Sequence, residues 1–186
     1  SGVTKMASVA RNMTIEYGST TVGGSVGSAF VSIHDVHTLS RNESGFNVSA
    51  SLLVTAASAG ALASGCSDLE AAFTLRRQYL KVTVGGSTFL EFKHSENTAL
   101  NIRSSISKAG SEADSALSRI YNISVSGDTS LNTPPQTSSF SVTYDTQSIP
   151  GTISGAVLSM HEIHAIIRDE NKFTASLSVL VKGATS

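Results

Sequence analysis

The residues best able to do chemistry in this sequence form two His-x-x-His pairs, His34 with His37 and His161 with His164, and each pair encloses one acidic residue. Imidazole and carboxylate groups are ligands that zinc accepts. On a β-strand, however, the first and fourth residues of such a motif point to opposite faces unless a β-bulge intervenes. We therefore predict no metal site and interpret the histidines as paired polar positions of a repeat that can lie at an interface.

Other candidate catalytic groups lack the partners that catalysis requires. Cys66 precedes a predicted helix among small residues, and no histidine lies near it in the sequence to activate its thiol. Neither a G-x-S-x-G nucleophile motif nor a phosphate-binding glycine loop is present. Solvated charge is the default for four carboxylates in or beside polar segments: Glu91, Glu96, Glu112 and Asp114. We predict no catalytic residues, no cofactor and no enzymatic activity.

The composition favours a protein that is covered by partner subunits. Charged residues make up 15% of the 186-residue chain, against about 25% in an average soluble protein. A net charge of -1 argues against binding to nucleic acid or to an anionic membrane. The first residues lack the apolar core of a signal peptide, and no stretch approaches the roughly 20 apolar residues that cross a bilayer. We expect an oligomeric protein without membrane or sequence-specific nucleic-acid partners, and its lone cysteine, Cys66, is compatible with a reducing cytosol.

An internal duplication must position the paired histidines. With an offset of 127 and no gap, residues 17–56 and 144–183 share 13 identities in 40 columns. Tyr17 aligns with Tyr144, Phe46 aligns with Phe173, and the histidine pairs align with each other. A match of this length does not arise by chance, so the two copies are expected to form the same local structure.

Each copy is predicted to be a β-hairpin, because apolar and polar residues alternate in the run that follows its turn. Turn-forming and charged residues at 41–45 and 168–172 predict the hairpin tips. The first strand of each copy has apolar residues on both faces, which indicates either a β-bulge or coverage on both sides. We expect Phe46 and Phe173 to be buried in equivalent surroundings, within the chain or across a subunit boundary.

The rest of the chain predicts shorter elements in one compact unit over residues 1–186. The fold class is all-β to β-rich α+β, a β-sandwich with a duplicated hairpin and one flanking helix. A Ser67–Glu70 capping box predicts the helix start, with the end near Arg77. The other predicted elements are short strands at 13–17 and 141–144, a hairpin at 79–84 and 88–92, a long loop at 93–119 that orders on assembly, a strand at 120–126 and a linker at 127–139.

This combination resembles the structural proteins of tailed-phage virions, and the tail tube family most of all. The matching parts are the hairpins 29–56 and 156–183, the helix 67–77 and the segment 93–119. The resemblance implies β-sandwich subunits with one helix that close into rings, hairpins that form a continuous barrel, and a long loop that reaches the next ring.

The resemblance also implies a role and a location. The protein would be a non-enzymatic virion component, assembled in the host cytoplasm from copies of itself together with other virion proteins. Two alternatives stay open on the same residues. One is a capsid decoration or head-tail connector protein, and the other is a secreted adhesin or carbohydrate-binding β-sandwich.

Overall fold

A computed structural model describes residues 13–42, 45–75, 79–93, 102–110, 114–128, 141–168 and 173–183. Within these ranges the chain forms antiparallel strands and one helix, α1 (Ala59–Thr74), which confirms the predicted β-rich class. The strands are β1 (Met13–Tyr17), β2 (Thr20–Val22), β3 (Gly24–Val26), β4 (Ala29–Arg41), β5 (Gly45–Thr55), β6 (Tyr79–Val84), β7 (Ser87–Lys93), β8 (Ile102–Lys108), β9 (Ser118–Asp128), β10 (Val142–Tyr144), β11 (Gln147–Ile149), β12 (Gly151–Ile153), β13 (Ala156–Arg168) and β14 (Phe173–Lys182).

The long strands form one antiparallel sheet in the order β14-β13-β4-β5-β9-β8. The short strands β3 and β12 pair with the first residues of β4 and β13. A second sheet has the order β2-β1-β6-β7, and β10 pairs with β11. The predicted hairpin at 79–84 and 88–92 is confirmed by β6 and β7, whose turn holds Gly85 and Gly86 at positive φ.

The core lies between the long-stranded sheet and a layer made by α1 and the second sheet. Tyr17 of β1 stacks on Phe73 of α1 with ring centroids 5.2 Å apart. The side of the long-stranded sheet that faces this layer is called the inner face, and the other side is the outer face. Alternate residues of β5 point to the inner face and are buried, as the alternation predicts: Phe46, Val48, Ala50, Leu52 and Val54.

Two β-bulges in each long first strand keep its apolar side chains on the inner face. The register of β4 against β5 shifts between Ile33 and Asp35 and again between Val36 and Thr38. The register of β13 against β14 shifts at the same places in the second copy. Because each bulge adds one residue, a bulge and not coverage on both sides explains the broken alternation. The buried positions of β4 are Ala29, Val31, Ile33, Val36, Leu39 and Arg41.

The two hairpins meet edge to edge through β4 and β13. Val36 lies opposite Arg168, and Arg41 lies opposite Ile163. The repeat offset of 127 converts each of these pairs into the other. The duplicated hairpins are therefore related by an approximate twofold axis at this junction.

Helix α1 begins before the predicted capping box. Ser58 is the N-cap, and its hydroxyl accepts a hydrogen bond from the backbone amide of Ala61 at 3.2 Å. The predicted start at Ser67 was wrong, because the alanine-rich run before it continues the helix from an earlier cap. Leu69, Ala72 and Phe73 are buried on one helix face, and residues 76–78 lie outside the described ranges.

The predicted long loop at 93–119 contains the strand β8 (Ile102–Lys108). Its inner-facing residues Ile102 and Ile106 pack against the core. Serines between these two residues lower the apolar signal, and a strand at a sheet edge tolerates them. The predicted strand at 120–126 is confirmed within the longer β9, whereas the linker 127–139 and the second hairpin tip lie mostly outside the described residues.

Candidate functional site

Both His-x-x-His motifs lie at the β-bulges. His34 and His37 are the residues left between paired positions of β4, and His161 and His164 are their counterparts in β13. Each copy thus has two β-bulges, the kind of irregularity that would be needed for both histidines of one motif to reach the same metal ion. Within the described ranges, however, no three His, Cys, Asp or Glu side chains come close enough together to hold a metal ion.

The second histidine of each motif makes the same outer-face contact. His37 Nε2 lies 2.7 Å from Ser51 Oγ, and His164 Nε2 lies 2.6 Å from Ser178 Oγ. Ser51 donates its own proton to Asn122 Oδ1 at 2.7 Å, so His37 must donate to Ser51. In the first copy this chain of hydrogen bonds crosses three strands, β4, β5 and β9, whereas in the second copy it ends at β14.

A groove of about 300 Å³ lies between α1 and the strands β8 and β9. The Tyr121 hydroxyl donates to Glu70 Oε1 at 2.5 Å, and Lys108 Nζ lies 3.9 Å from the same oxygen. Burial, together with Glu70, raises the pKa of Tyr121, so this phenol remains a donor. These contacts tie the helix to the sheet.

Cys66 lines the same groove from within α1, not from the position before the helix that the sequence suggested. The thiol is buried, and the residues that line the groove include no histidine. Nucleophilic catalysis needs a base within hydrogen-bond reach of the nucleophile. Of the groups that line the groove with Cys66, the carboxylate of Glu70 is hydrogen-bonded to the Tyr121 hydroxyl.

Two of the four candidate carboxylates make structural contacts. The Tyr79 hydroxyl lies 3.4 Å from a carboxylate oxygen of Glu91 and 3.4 Å from one of Glu16. Asp114 Oδ1 accepts a hydrogen bond from the backbone amide of Ile120 at 2.9 Å. The other two, Glu96 and Glu112, lie outside the described residues.

Within the described ranges, the inner face of β14 is largely uncovered, although Leu177 and Val179 are half-buried. Phe173 and Val181 are 52% and 58% exposed, whereas the equivalent Phe46 and Val54 are 4% and 0% exposed. Phe46 and Phe173 are therefore not equally buried within one chain, and their equivalent burial across a subunit boundary stays a prediction. Among the described residues of the second copy, Ile163 belongs to the main cluster of buried core residues, and Met160 and Ile166 pack against that cluster. We call the inner-facing side chains of β14 the open face: Phe173, Ala175, Leu177, Val179 and Val181.

The backbone edge of β14 is uncovered too. In the first copy, β5 pairs along its whole length with β9. Among the described residues, no strand occupies the corresponding edge of β14. Edge strands of monomeric proteins usually carry charges, proline or bulges that prevent pairing with another chain. β14 holds a single charge, Lys182 at its end, so its free edge is poorly protected against such pairing.

Comparisons with known proteins assign no family to this chain. No family model, no characterised protein and no solved structure matches it. Within the described ranges, no helix is long and apolar enough to cross a membrane. Function must therefore be inferred from the geometry of the chain itself.

Sequence reasoning found the two hairpins and missed their unequal burial. The apolar alternation of β14 is as regular as that of β5, so the strands look alike in sequence. A signal was nevertheless present. The segment 57–128, which supplies α1 and the strands β6 to β9, occurs once in the sequence and lies between the two copies. A single set of α1, β6 and β7 shared by two hairpins indicates that one hairpin is left without this cover.

Proposed function

We propose that this protein is a non-enzymatic structural subunit that assembles with copies of itself into a virion component, the tail tube of a tailed phage. The observation that carries the proposal is the open face. A strand with alternate apolar side chains is built to bury one side. In the first copy that side is buried, whereas in β14 Phe173 and Val181 face solvent and Leu177 and Val179 are half-buried.

The open face and the free β14 edge belong to one continuous surface. Monomeric proteins rarely keep a contiguous apolar patch beside an unpaired strand edge, because both promote association. Leu180, on the outer face of β14, adds a side chain that is 43% exposed. Few charges elsewhere on the chain oppose contact between copies, since charged residues are 15% of the sequence.

Support for a tail tube, as distinct from another virion part, comes from architecture. Within the described ranges, the subunit combines a β-sandwich, one helix and duplicated hairpins that join into one sheet. A decoration or connector protein is the alternative within the same class. Electron microscopy of the purified assembly separates them, because tubes or stacked rings support a tail tube and other particles contradict it.

A matched pair of substitutions tests the role of the open face. Phe46→Ala should lower the free energy of unfolding by about 3–5 kcal/mol, because Phe46 is buried. Phe173→Ala should lower the stability of the unassembled subunit by less than about 1 kcal/mol, yet it should reduce assembly strongly. Denaturant unfolding measures the first effect, and light scattering at micromolar concentration measures the second.

Two results would contradict the proposal. One is a parent protein that remains monomeric in light scattering over the micromolar range. The other is a Phe173→Ala variant that assembles as well as the parent does. Phe30→Ala provides a control, because Phe30 is also 52% exposed but lies on β4, away from the open face.

A further inference from the structure

We infer that the β14 edge of one copy pairs with the β8 edge of the next copy, so that the long-stranded sheet runs on from subunit to subunit. This inference rests on the proposed self-assembly and names the contact that produces it. Within the described ranges, β8 and β14 are the two ends of the sheet, and each has a long neighbour on one side only. The occupant of the β14 edge is therefore a second copy of this chain.

Strand direction fits this pairing. Every neighbouring pair in the sheet β14-β13-β4-β5-β9-β8 is antiparallel, so directions alternate across its six strands. The two end strands consequently run in opposite directions. A second copy placed beside the first in the same orientation brings its β8 against β14 as an antiparallel pair, and the alternation continues without a break.

The faces also fit. Residues directly opposite each other on paired strands point to the same face. Leu177 of β14 lies opposite Ile163 of β13, which lies opposite Arg41 of β4, so all three side chains are on the inner face. The same rule, applied from β4 through β5 and β9 to β8, places Ile102 and Ile106 on the inner face too. The open face of β14 and the buried side of β8 are therefore on the same side of one sheet.

The next copy would bring its own covering layer to the open face. At β8 this layer lies within hydrogen-bond distance of the strand, since Ser104 Oγ donates to the Phe73 carbonyl of α1 at 2.6 Å. The Tyr17 hydroxyl of the second sheet donates to Ser104 Oγ at 3.0 Å. When β14 lies beside β8, the neighbour's helix and second sheet lie next to the open face and shield it from water.

A symmetric contact between two β14 strands does not give the same cover. A twofold axis perpendicular to the sheet would satisfy the backbone hydrogen bonds of both edges. It would place two open faces side by side on one side of the sheet, both still without a covering layer. Burial of the open face thus favours the head-to-tail contact, which is heterologous and builds a closed ring or an open filament.

We expect a register in which the middle of β8 lies opposite the middle of β14, and this register defines which residues are in contact. It puts Ile106 opposite Leu177 and Ile102 opposite Val181 on the inner face. On the outer face it puts Ser105 opposite Ser178, which already bonds to His164. Ser105 of the next copy would then hold the place beside Ser178 that Asn122 holds beside Ser51 in the first repeat.

Variants that each add one cysteine test the contact in the full chain. Opposite residues of an antiparallel pair have Cα atoms about 4.5–5.5 Å apart, within the range that a disulfide spans. Ser105→Cys and Ser178→Cys proteins, mixed and oxidised mildly, should yield a disulfide-linked heterodimer as the main product. Neither variant on its own should form a linked dimer. The parent protein, oxidised in the same way, is the control, because it shows whether its only cysteine, the buried Cys66, forms linked dimers by itself.

If β8 and β14 pair with a register that is shifted by two residues, each side chain stays on the same face of the sheet. Ser107→Cys, paired with Ser178→Cys, is therefore a second probe for that register. Heterodimers with either probe support the inference. Linked dimers of Ser178→Cys on its own show a symmetric β14 contact and overturn the inference, but they leave self-assembly intact. Assembly in light scattering with no linkage at either probe also overturns it. A monomer without linkage removes the proposed function itself.

Discussion

Identical side chains have different surroundings in the two copies. Arg41 is buried, its guanidinium carbon lies 5.2 Å from the centre of the Phe89 ring, and it donates to the Phe89 carbonyl. Burial lowers the pKa of Arg41 to about 10, which still leaves it charged at neutral pH. The equivalent Arg168 donates to the His34 carbonyl, and its Nε has no hydrogen-bond partner among the described residues. Phe89 belongs to the second sheet, which lies against the first copy. The position of the second sheet therefore causes the difference between the surroundings of Arg41 and Arg168.

Tyr79 should make stability depend on pH in the alkaline range. Burial, with Glu16 and Glu91 nearby, raises the pKa of Tyr79 to about 12, whereas an unfolded tyrosine ionises near pH 10. Between these values the unfolded chain releases the proton and the folded chain keeps it, so stability falls as the pH rises. Denaturant midpoints between about pH 9 and 12 should show a loss that Tyr79→Phe reduces.

Tyr144→Phe is the matched control for this titration, because Tyr144 is 85% exposed. Its pH profile should follow that of the parent protein. A Tyr79→Phe profile that also follows the parent would contradict the prediction. Raised absorbance of ionised tyrosine reports the same event directly in the folded protein.

At the scale of elements, one glycine sets how closely the helix approaches the sheet. A Cβ atom added to Gly65 of α1 would lie 2.2 Å from the Ala29 Cβ of β4. Real carbon atoms do not approach so closely, so a larger residue would push the helix away from β4. The predicted helix start at Ser67 excluded Gly65 from the helix, and the reason for a glycine there became visible only in the packed structure.

Gly65→Ala should therefore destabilise the protein by about 1–3 kcal/mol, because overpacking displaces the helix. Gly60→Ala in the same helix has no atom within 4 Å of its added Cβ. It should be neutral or stabilising by up to about 1 kcal/mol, since alanine favours the helix. Denaturant unfolding of both variants measures the contrast, and equal effects would mean that the contact with Ala29 does not limit packing.

At the scale of the whole molecule, the core belongs to the first copy and its covering segment. Among the described residues, the buried apolar side chains lie between Met13 and Val125 except for Leu158 and Ile163. The second copy contributes its hairpin to the sheet but little to the core. Its local stability should be low in the unassembled subunit, because an uncovered hairpin has few buried contacts.

A chain that ends at Asp128 should consequently keep its fold and unfold cooperatively, although with lower stability because the β4 edge loses β13. A peptide of residues 141–183 should not fold by itself, since two-stranded hairpins are marginal in water. Circular dichroism and thermal melting of both pieces test this. A shortened chain without a cooperative transition would show instead that the second copy is essential to the core.

Local sequence patterns determined much of this fold. The gapless repeat established two copies of one hairpin, and the period of two in residues 46–54 identified the face of β5 that is buried. Glycines identified the turn between β6 and β7. These features depend on backbone geometry and on neighbours close in sequence, so a linear pattern is enough to reveal them.

Contacts between distant segments decided the rest. The bulges at His34 and His37 exist only when β4 is paired in register with β5. The serine-rich β8 is a strand because β9 and α1 lie against it. Phe46 and Phe173 occupy the same position in the repeat, and only the layer formed by α1 and the second sheet makes one buried and the other exposed. Burial is a property of what covers a side chain, and a shared sequence pattern does not specify the cover.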